Sequence, residues 1–152
     1  MNSSRRTAIK STGAFASLIA LGLVTQSQAQ AAVDNASFQV KTLEDALKAI
    51  GGAPATSDQV SVVSPDIAEN GAVVPLGVSS ALPGVKRLLV LVEKNPAVLS
   101  AMFDVSDAVD ANFSTRVKMG QSSNVIAVAI TADNKVFFAQ KEIKVTLGGC
   151  GG

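Results

Sequence analysis

The sequence predicts an all-β fold: an immunoglobulin-like antiparallel β-sandwich of about seven strands, with a short N-terminal helix and a flexible C-terminal arm. From Gln59 onward, apolar residues recur with a period of two, as they do in strands with one buried face. Turn-forming pairs such as Asn70-Gly71 and Asn95-Pro96 interrupt this pattern at regular spacing. Many short strands separated by turns are typical of a sandwich.

Residues 1–31 are predicted to be a twin-arginine (Tat) signal peptide that is removed on export. Arg5 and Arg6 precede the apolar run Ala14–Val24, which is shorter than the roughly 20 residues that span a bilayer. A small-x-small pattern then ends at Ala31, after which we expect cleavage. The sequence therefore predicts a periplasmic protein exported by the Tat pathway, with no membrane anchor after processing, rather than a membrane-anchored one.

The rest of the chain is predicted to hold one domain, residues 32–147, followed by a GGCGG arm, residues 148–152. Without the signal peptide the chain keeps ten of its 13 basic residues and all 12 acidic ones, which gives a net charge of −2. That balance argues against nucleic acid or an anionic membrane surface as a partner.

One short helix is predicted near the start of the domain. Thr42 can cap it, with Asp45 three residues on in the position that Glu takes in a capping box. Apolar residues from Leu43 to Ile50 share one face, and Gly51-Gly52 ends the helix. We expect this helix to cover one end or edge of a sheet.

The predicted strands differ in how deeply their patterns place them. Asn124–Thr131 is almost wholly aliphatic, which predicts burial on both faces, and Val85–Glu93 suits a central strand. Pro75 cannot donate to a ladder, so its strand should have an edge or bulge there. The full set is Val60–Val63, Ala72–Ser79, Val85–Glu93, Ala101–Val105, Phe113–Met119, Asn124–Thr131 and Val136–Leu147.

Cys150 is the only cysteine, and glycine pairs flank it at the extreme C-terminus. Glycine has no Cβ and adopts many backbone conformations, so Gly148, Gly149, Gly151 and Gly152 should form a thin swinging arm that carries the thiol. An unpaired cysteine in an exported protein indicates either intermolecular bonding or a working thiol. Cys150 is therefore the candidate functional residue of this sequence.

The composition limits what the thiol can do alone. The sequence contains no histidine, so the usual general base and the most common metal ligand are missing, and we predict no cofactor, no metal site and no catalytic residue. The residues leave open a thiol-dependent redox enzyme, such as a sulfurtransferase or peroxidase, and a structural sandwich with an interchain disulfide. Activation of the Gly152 carboxylate, as in ubiquitin-type modifiers, would need ATP outside the cytoplasm and is disfavoured.

Charged side chains elsewhere are predicted to be solvated rather than functional. The cations alternate with apolar residues in strands, and the carboxylates lie in a loop at i, i+3, i+6, which is not the spacing of a calcium loop. The cations are Lys86, Arg87, Arg116 and Lys118, and the carboxylates are Asp104, Asp107 and Asp110.

Three stretches of the chain resemble the SoxY family, the sulfur-carrying subunits of the periplasmic thiosulfate-oxidising Sox system. They are Ile67–Pro75 (IAENGAVVP), Lys94–Pro96 (KNP) and the ending Val145–Gly152 (VTLGGCGG). The resemblance covers essentially the whole chain after the signal peptide.

This resemblance implies a carrier that is not itself an enzyme. Cys150 matches the family's carrier cysteine, to which thiosulfate is joined oxidatively as a cysteine S-thiosulfonate. It also implies a heterodimer with a SoxZ-like β-sandwich subunit. The transient enzymes would be the c-type cytochrome SoxAX, the hydrolase SoxB and, in some systems, SoxCD.

Overall fold

The computed structural model describes residues 39–51 and 53–147, and in this part of the chain one helix precedes nine strands. Helix α1 spans Leu43–Ile50. The strands are β1 (Ala55–Thr56), β2 (Val60–Val63), β3 (Ile67–Asn70), β4 (Val74–Ser80), β5 (Val85–Val92), β6 (Leu99–Asp104), β7 (Asn112–Val117), β8 (Ser123–Thr131) and β9 (Val136–Leu147).

The strands form two sheets, which confirms the predicted sandwich. The larger sheet has the order β1-β9-β8-β5-β6, and β3 also pairs with β9; the smaller sheet has the order β2-β4-β7. The pairs β8/β9, β5/β8 and β5/β6 are antiparallel, as are both pairs of the smaller sheet. The immunoglobulin-like prediction therefore holds for the main body of both sheets.

The main core lies between the two sheets. Leu88 and Val90 of β5 and Val125 of β8 are fully buried there against Leu76 and Val78 of β4. Full burial of a side chain of this size contributes roughly 1.5–3 kcal/mol, so the facing rows of Val, Leu and Ile are the main source of stability. With no Trp or Tyr in the sequence, the core is almost entirely aliphatic.

A second apolar cluster covers the outer face of the larger sheet. Ala46 of α1 is buried together with Leu91, Val98 and Ile126, and the other apolar positions of α1 pack around them. The prediction that β8 is covered on both faces is therefore confirmed. The prediction that the helix covers an end or edge is wrong, because its apolar stripe lies on the face of the sheet.

Helix α1 begins and ends as its sequence predicts. The Thr42 hydroxyl accepts the Asp45 amide at 3.1 Å and donates to the Asp45 carboxylate at 2.7 Å. These two bonds replace the usual capping box, because Asp is too short to reach back to the N-cap amide as Glu does. Gly51 ends the helix with a φ of 77°, where a side chain would be strained.

Two short strands, β1 and β3, were not predicted, and both pair parallel to β9. The Asn70-Gly71 turn is confirmed, but it joins the two sheets instead of closing a hairpin, since β3 pairs with β9 and β4 with β2 and β7. Pro75 lies in the middle strand of the smaller sheet, yet β2 already ends opposite Gly77, so that edge of β4 is open at Pro75. The predicted edge position therefore holds at Pro75 itself, although the strand as a whole lies in the middle of its sheet.

Candidate functional site

The predicted carrier residue and its arm, Cys150 with Gly148, Gly149, Gly151 and Gly152, lie outside the described residues. The structure does describe the strand that leads into them, as far as Leu147. The part of the candidate site that the structure describes surrounds the last residues of β9. We call these residues, Lys144–Leu147, the arm base.

At the arm base, β9 is paired along one edge and has just left its ladder on the other. On one side, β3 runs parallel, with Ile67 opposite Lys144 and Asn70 opposite Leu147. On the other side β8 supplies the ladder up to the Ser123–Ile143 pair. Ladder pairing thus holds the arm base on its β3 side, and on the β8 side the ladder ends one residue before it.

Side chains extend this pairing beyond the ladder itself. The Ser122 hydroxyl accepts the Val145 amide at 2.9 Å, which continues the β8 side by one more bond. The Thr146 hydroxyl donates to the Glu69 carbonyl at 3.0 Å on the β3 side. Because each intramolecular hydrogen bond contributes roughly 1 kcal/mol, these bonds oppose fraying where the arm begins.

Loops next to the arm base are tied to one another. The side-chain NH₂ of Asn95 donates to the Lys118 carbonyl at 2.7 Å, and its side-chain oxygen accepts the backbone amide of Gly120 at 3.4 Å. The Ser123 hydroxyl accepts the Lys94 amide at 3.0 Å. The β5–β6 and β7–β8 loops are therefore held at fixed positions at this end of the sandwich.

The turn between β3 and β4 joins the same network. Its Gly71 carbonyl accepts the Met119 amide at 2.7 Å, so it meets the β7–β8 loop directly. The Asn70 side chain accepts the Ala72 amide at 2.9 Å and tightens the turn from within.

The three stretches that resemble the SoxY family meet at this end of the sandwich. Ile67–Pro75 supplies β3 and the turn, Lys94–Pro96 supplies the bridging Asn95, and the third stretch begins at Val145 in the arm base. They are far apart in sequence, and the sheet order brings them together. The structure thus places the described family-like residues around the exit of the arm.

An ion pair anchors the chain where it enters β3. Lys141 of β9 binds the Asp66 carboxylate at 2.9 Å and donates to the Ser64 carbonyl at 2.6 Å. The hydrogen bond from the Lys141 ammonium, with its charge, holds the pKa of the Asp66 carboxyl below its ordinary value of 3.8. The Asp66 carbonyl in turn accepts the Lys144 amide at 2.9 Å, so this pair supports the arm base.

The predicted solvated charges do not converge on one site. Arg87 binds Asp104 at 2.6 Å and Lys86 binds Asp107 at 3.0 Å at the end of the sandwich opposite the arm base. Arg116 lies on the outer face of the smaller sheet, and Lys118 lies near the arm base. Within residues 39–51 and 53–147, no three His, Cys, Asp or Glu side chains are grouped as a metal site would require.

Sequence reasoning missed the supporting residues of the arm base. Ser122, Asn95 and Lys141 act through contacts between segments remote in sequence, and no local pattern indicates them. Of these three residues, only Asn95 lies in a stretch that resembles the family, Lys94–Pro96. Among the described residues, no helix has the length and apolar character to cross a membrane.

Comparisons with known proteins agree with this geometry. The family model described as sulfur oxidation protein SoxY matches residues 46–150. The solved structure of the sulfur carrier protein SoxY from Chlorobium limicola f. thiosulfatophilum has 31% sequence identity and a TM-score of 0.63, covering 70% of this chain and 97% of that one. No curated protein sequence matches the chain.

A second solved structure shares only the fold. Superoxide reductase (neelaredoxin) from Ignicoccus hospitalis has 13% identity and a TM-score of 0.52, covering 57% of this chain and 80% of that one. At this identity the match supports the β-sandwich architecture and carries no functional argument.

The Ser122 hydroxyl should protect the arm base from opening. We expect Ser122→Ala to speed hydrogen exchange of the Val145 amide by about 2- to 10-fold, the effect of losing roughly 0.5–1.5 kcal/mol of hydrogen bonding. Ser57→Ala is the matched control, because the Ser57 hydroxyl also accepts a backbone amide, that of Gln59, away from the arm base. Equal exchange of Val145 in wild type and Ser122→Ala would contradict the assignment.

The Asp66–Lys141 pair makes a prediction about pH. Because the pKa of Asp66 is lowered in the folded state, the pair favours folding above the ordinary pKa of 3.8, and this contribution disappears as the pH falls through the lowered value. In Lys141→Met, an NMR titration should show the Asp66 pKa rising toward 3.8. Asp133 serves as the internal control, since bonds from Thr131 and Lys135 lower its pKa to about 2. An unchanged Asp66 pKa in the variant would remove Lys141 as the cause.

Proposed function

Because this chain belongs to the SoxY family of sulfur oxidation proteins, we propose that it is a covalent carrier of sulfur intermediates in thiosulfate oxidation. In this proposal Cys150 binds the substrate and the arm, residues 148–152, presents it to partner enzymes. The observation that carries the proposal is the convergence of the family-like segments at the base of the arm.

The chemistry assigned to Cys150 balances as a two-electron oxidation. The thiolate and thiosulfate form one S–S bond, giving Cys-S-S-SO₃⁻ and two electrons, which a c-type cytochrome partner accepts. Water then cleaves the terminal S–S bond, releasing hydrogen sulfate and leaving a cysteine persulfide, Cys-S-SH. Neither step needs a catalytic group from the carrier, which suits a chain without histidine.

The arm has the reach that delivery requires. Five residues extend at most about 3.5 Å each, so the arm spans about 17 Å and Cys150 can stand about 10 Å beyond Leu147. A paired arm base keeps the starting point of that reach fixed on the sandwich. Tethering also replaces diffusion of a small anion with local delivery at high effective concentration.

The thiol needs help from its partners to react. An ordinary cysteine has a pKa of about 8.5, and only the thiolate is a competent nucleophile. We propose that deprotonation occurs inside the partner's pocket, so the carrier stays unreactive between visits. The partners in this proposal are SoxAX for loading, SoxB for hydrolysis, SoxCD where a sulfane oxidation step exists, and a SoxZ-like subunit as heterodimer partner.

Loading of Cys150 can be tested by intact mass of the protein from its native cells. We expect an adduct of about 112 Da, that of thiosulfate joined through one S–S bond, or of multiples of about 32 Da for sulfane sulfur, on the peptide containing Cys150. In Cys150→Ser these adducts and thiosulfate oxidation should both disappear. Val109→Ala, an exposed change at the end of the sandwich opposite the arm base, is the control.

The redox-enzyme and structural-disulfide alternatives predict different results. A redox enzyme would turn over substrate as the purified protein without partners, which contradicts the carrier proposal. If Cys150 formed a structural disulfide, the wild-type protein would be a covalent dimer without a sulfur adduct. The Cys150→Ser variant would then lose that dimer. An unmodified Cys150 during active thiosulfate oxidation would overturn the proposal.

The site of action proposed is the periplasm, reached through the Tat pathway. The support is the paired Arg5-Arg6 ahead of the apolar run in residues 1–31, which lie outside the described residues. We expect Arg5→Lys with Arg6→Lys to leave the protein in the cytoplasmic fraction, with thiosulfate oxidation lost. Lys10→Arg is the control and should be exported. Periplasmic protein from the double variant would contradict Tat export.

A further inference from the structure

The outer face of the smaller sheet differs from every other exposed surface of the described chain. The larger sheet has its outer face covered by α1, whereas no described element covers this one. The strand registers place eight residues on it: Ser61, Val63, Pro75, Gly77, Ser79, Asn112, Ser114 and Arg116.

This face lacks the charges of a solvated sheet. Only Arg116 is charged among the eight, and the central strand contributes proline, glycine and serine. By contrast, the exposed outward positions of β9 near the arm base include Glu142 and Lys144. A water-exposed strand face in this protein therefore carries long charged side chains, and the smaller sheet does not follow that pattern.

A groove of about 580 Å³ runs over this face. Gly77 forms part of its floor, because a Cβ there would already touch the Val63 Cβ at 3.4 Å. Val63 forms one wall and is 67% exposed, and Pro75 and Pro65 add further apolar surface. The residues lining this groove include no carboxylate.

One strongly exposed apolar side chain lines the groove. Of the four large apolar side chains that are strongly exposed in the described part of the chain, Val63 is in the lining, whereas Ile67 lies in β3 beside β9 and Val73 follows the Asn70-Gly71 turn. The fourth, Val109, lies at the end of the sandwich opposite the arm base.

We propose that this face, which we call the groove face, is the docking surface for the partner subunit of the proposed function. The occupant is a polypeptide that places an apolar side chain over Gly77 against Val63 and a carboxylate on Arg116. Arg116 is the one charged residue among those that line the groove, and its guanidinium can bind a carboxylate through two parallel hydrogen bonds.

The position of the groove face suits a carrier. It lies on a broad face of the sandwich, whereas the arm base lies at one end. A partner held on the groove face leaves the arm free to enter an enzyme. This inference rests on the proposed function only for the identity of the occupant.

Binding of the purified partner subunit to the full mature chain, measured by calorimetry, tests the proposal. We expect Val63→Asp and Arg116→Glu each to raise the Kd by about tenfold or more, as changes in the centre of an interface do. The matched controls are Val109→Asp, another exposed valine, and Lys41→Glu, another exposed cation on the helix side of the sandwich. Both controls should keep the Kd within about twofold of wild type.

Hydrogen exchange provides a second measurement on the wild-type complex. We expect protection of amides in β2, β4 and β7 when the partner is bound, with β6 and α1 unchanged. Because both groove substitutions are at exposed positions, urea unfolding midpoints should match wild type and exclude misfolding as the cause.

Three results would overturn the docking surface. They are equal affinity in all four variants, protection elsewhere than the smaller sheet, and self-association of the wild-type chain that Val63→Asp abolishes. None of them touches the carrier role, which the sulfur adduct on Cys150 tests separately. Loss of affinity confined to Val63→Asp and Arg116→Glu would support the docking surface.

Discussion

The pairing of β9 on both edges is the constraint on which the rest of this structure depends. A strand paired on one edge only exposes a row of unpaired backbone groups on the other. Here β8 pairs along one side, while β1 and β3 occupy the other side in succession. The parallel pairing of β3 requires the chain to cross from the smaller sheet and return, which the β2–β3 link and the Asn70-Gly71 turn achieve. This crossover places β3 beside the arm base and so fixes the position of the last described residues of β9.

The two sheets have different roles because their outer faces are covered differently. The central strands of the larger sheet, β5 and β8, are buried on both faces, between the smaller sheet and α1, so most of their residues are apolar. This makes the larger sheet a rigid support for β9. The smaller sheet is buried on one face only, and its strands alternate accordingly, as in β7 with Thr115 inward and Arg116 outward. Its free face is available for recognition without any loss to the core.

Much of this fold could be predicted from local patterns, and the parts that could not are those fixed by remote contacts. The helix with its Thr42 cap, the central strands and the alternation through Val117 and Met119 follow from periodicity and turn chemistry. β3 was missed because its four residues show no alternation of their own, and its partner lies 77 residues on, as the Thr146–Glu69 bond shows.

The sequence indicates the proposed carrier residue, but it does not indicate the contacts that support the arm base. Cys150 is conspicuous as the single thiol among glycines, whereas Ser122 and Lys141 are ordinary residues until the sheet order gives them partners. The helix was placed wrongly at an edge because its amphipathic stripe shows that it packs but not against which surface. Both errors arise from the same limit, since local sequence specifies an element and tertiary contacts decide its neighbours.

The segment Ile67–Pro75 shows why the arm and the groove face belong to one design. Its first half pairs with the arm base, its turn binds the β7–β8 loop, and its last residue lines the groove. A substitution in this segment therefore acts on two surfaces at once, unless it lies at a position that touches only one. Outside this segment, Thr146 and Val63 each touch only one of the two surfaces, since Thr146 bonds toward β3 and Val63 faces the groove. The covalent chemistry proposed for Cys150 and the proposed recognition of a partner can therefore be tested separately, because the arm base and the groove face lie on different parts of the sandwich, joined by the Asn70-Gly71 turn.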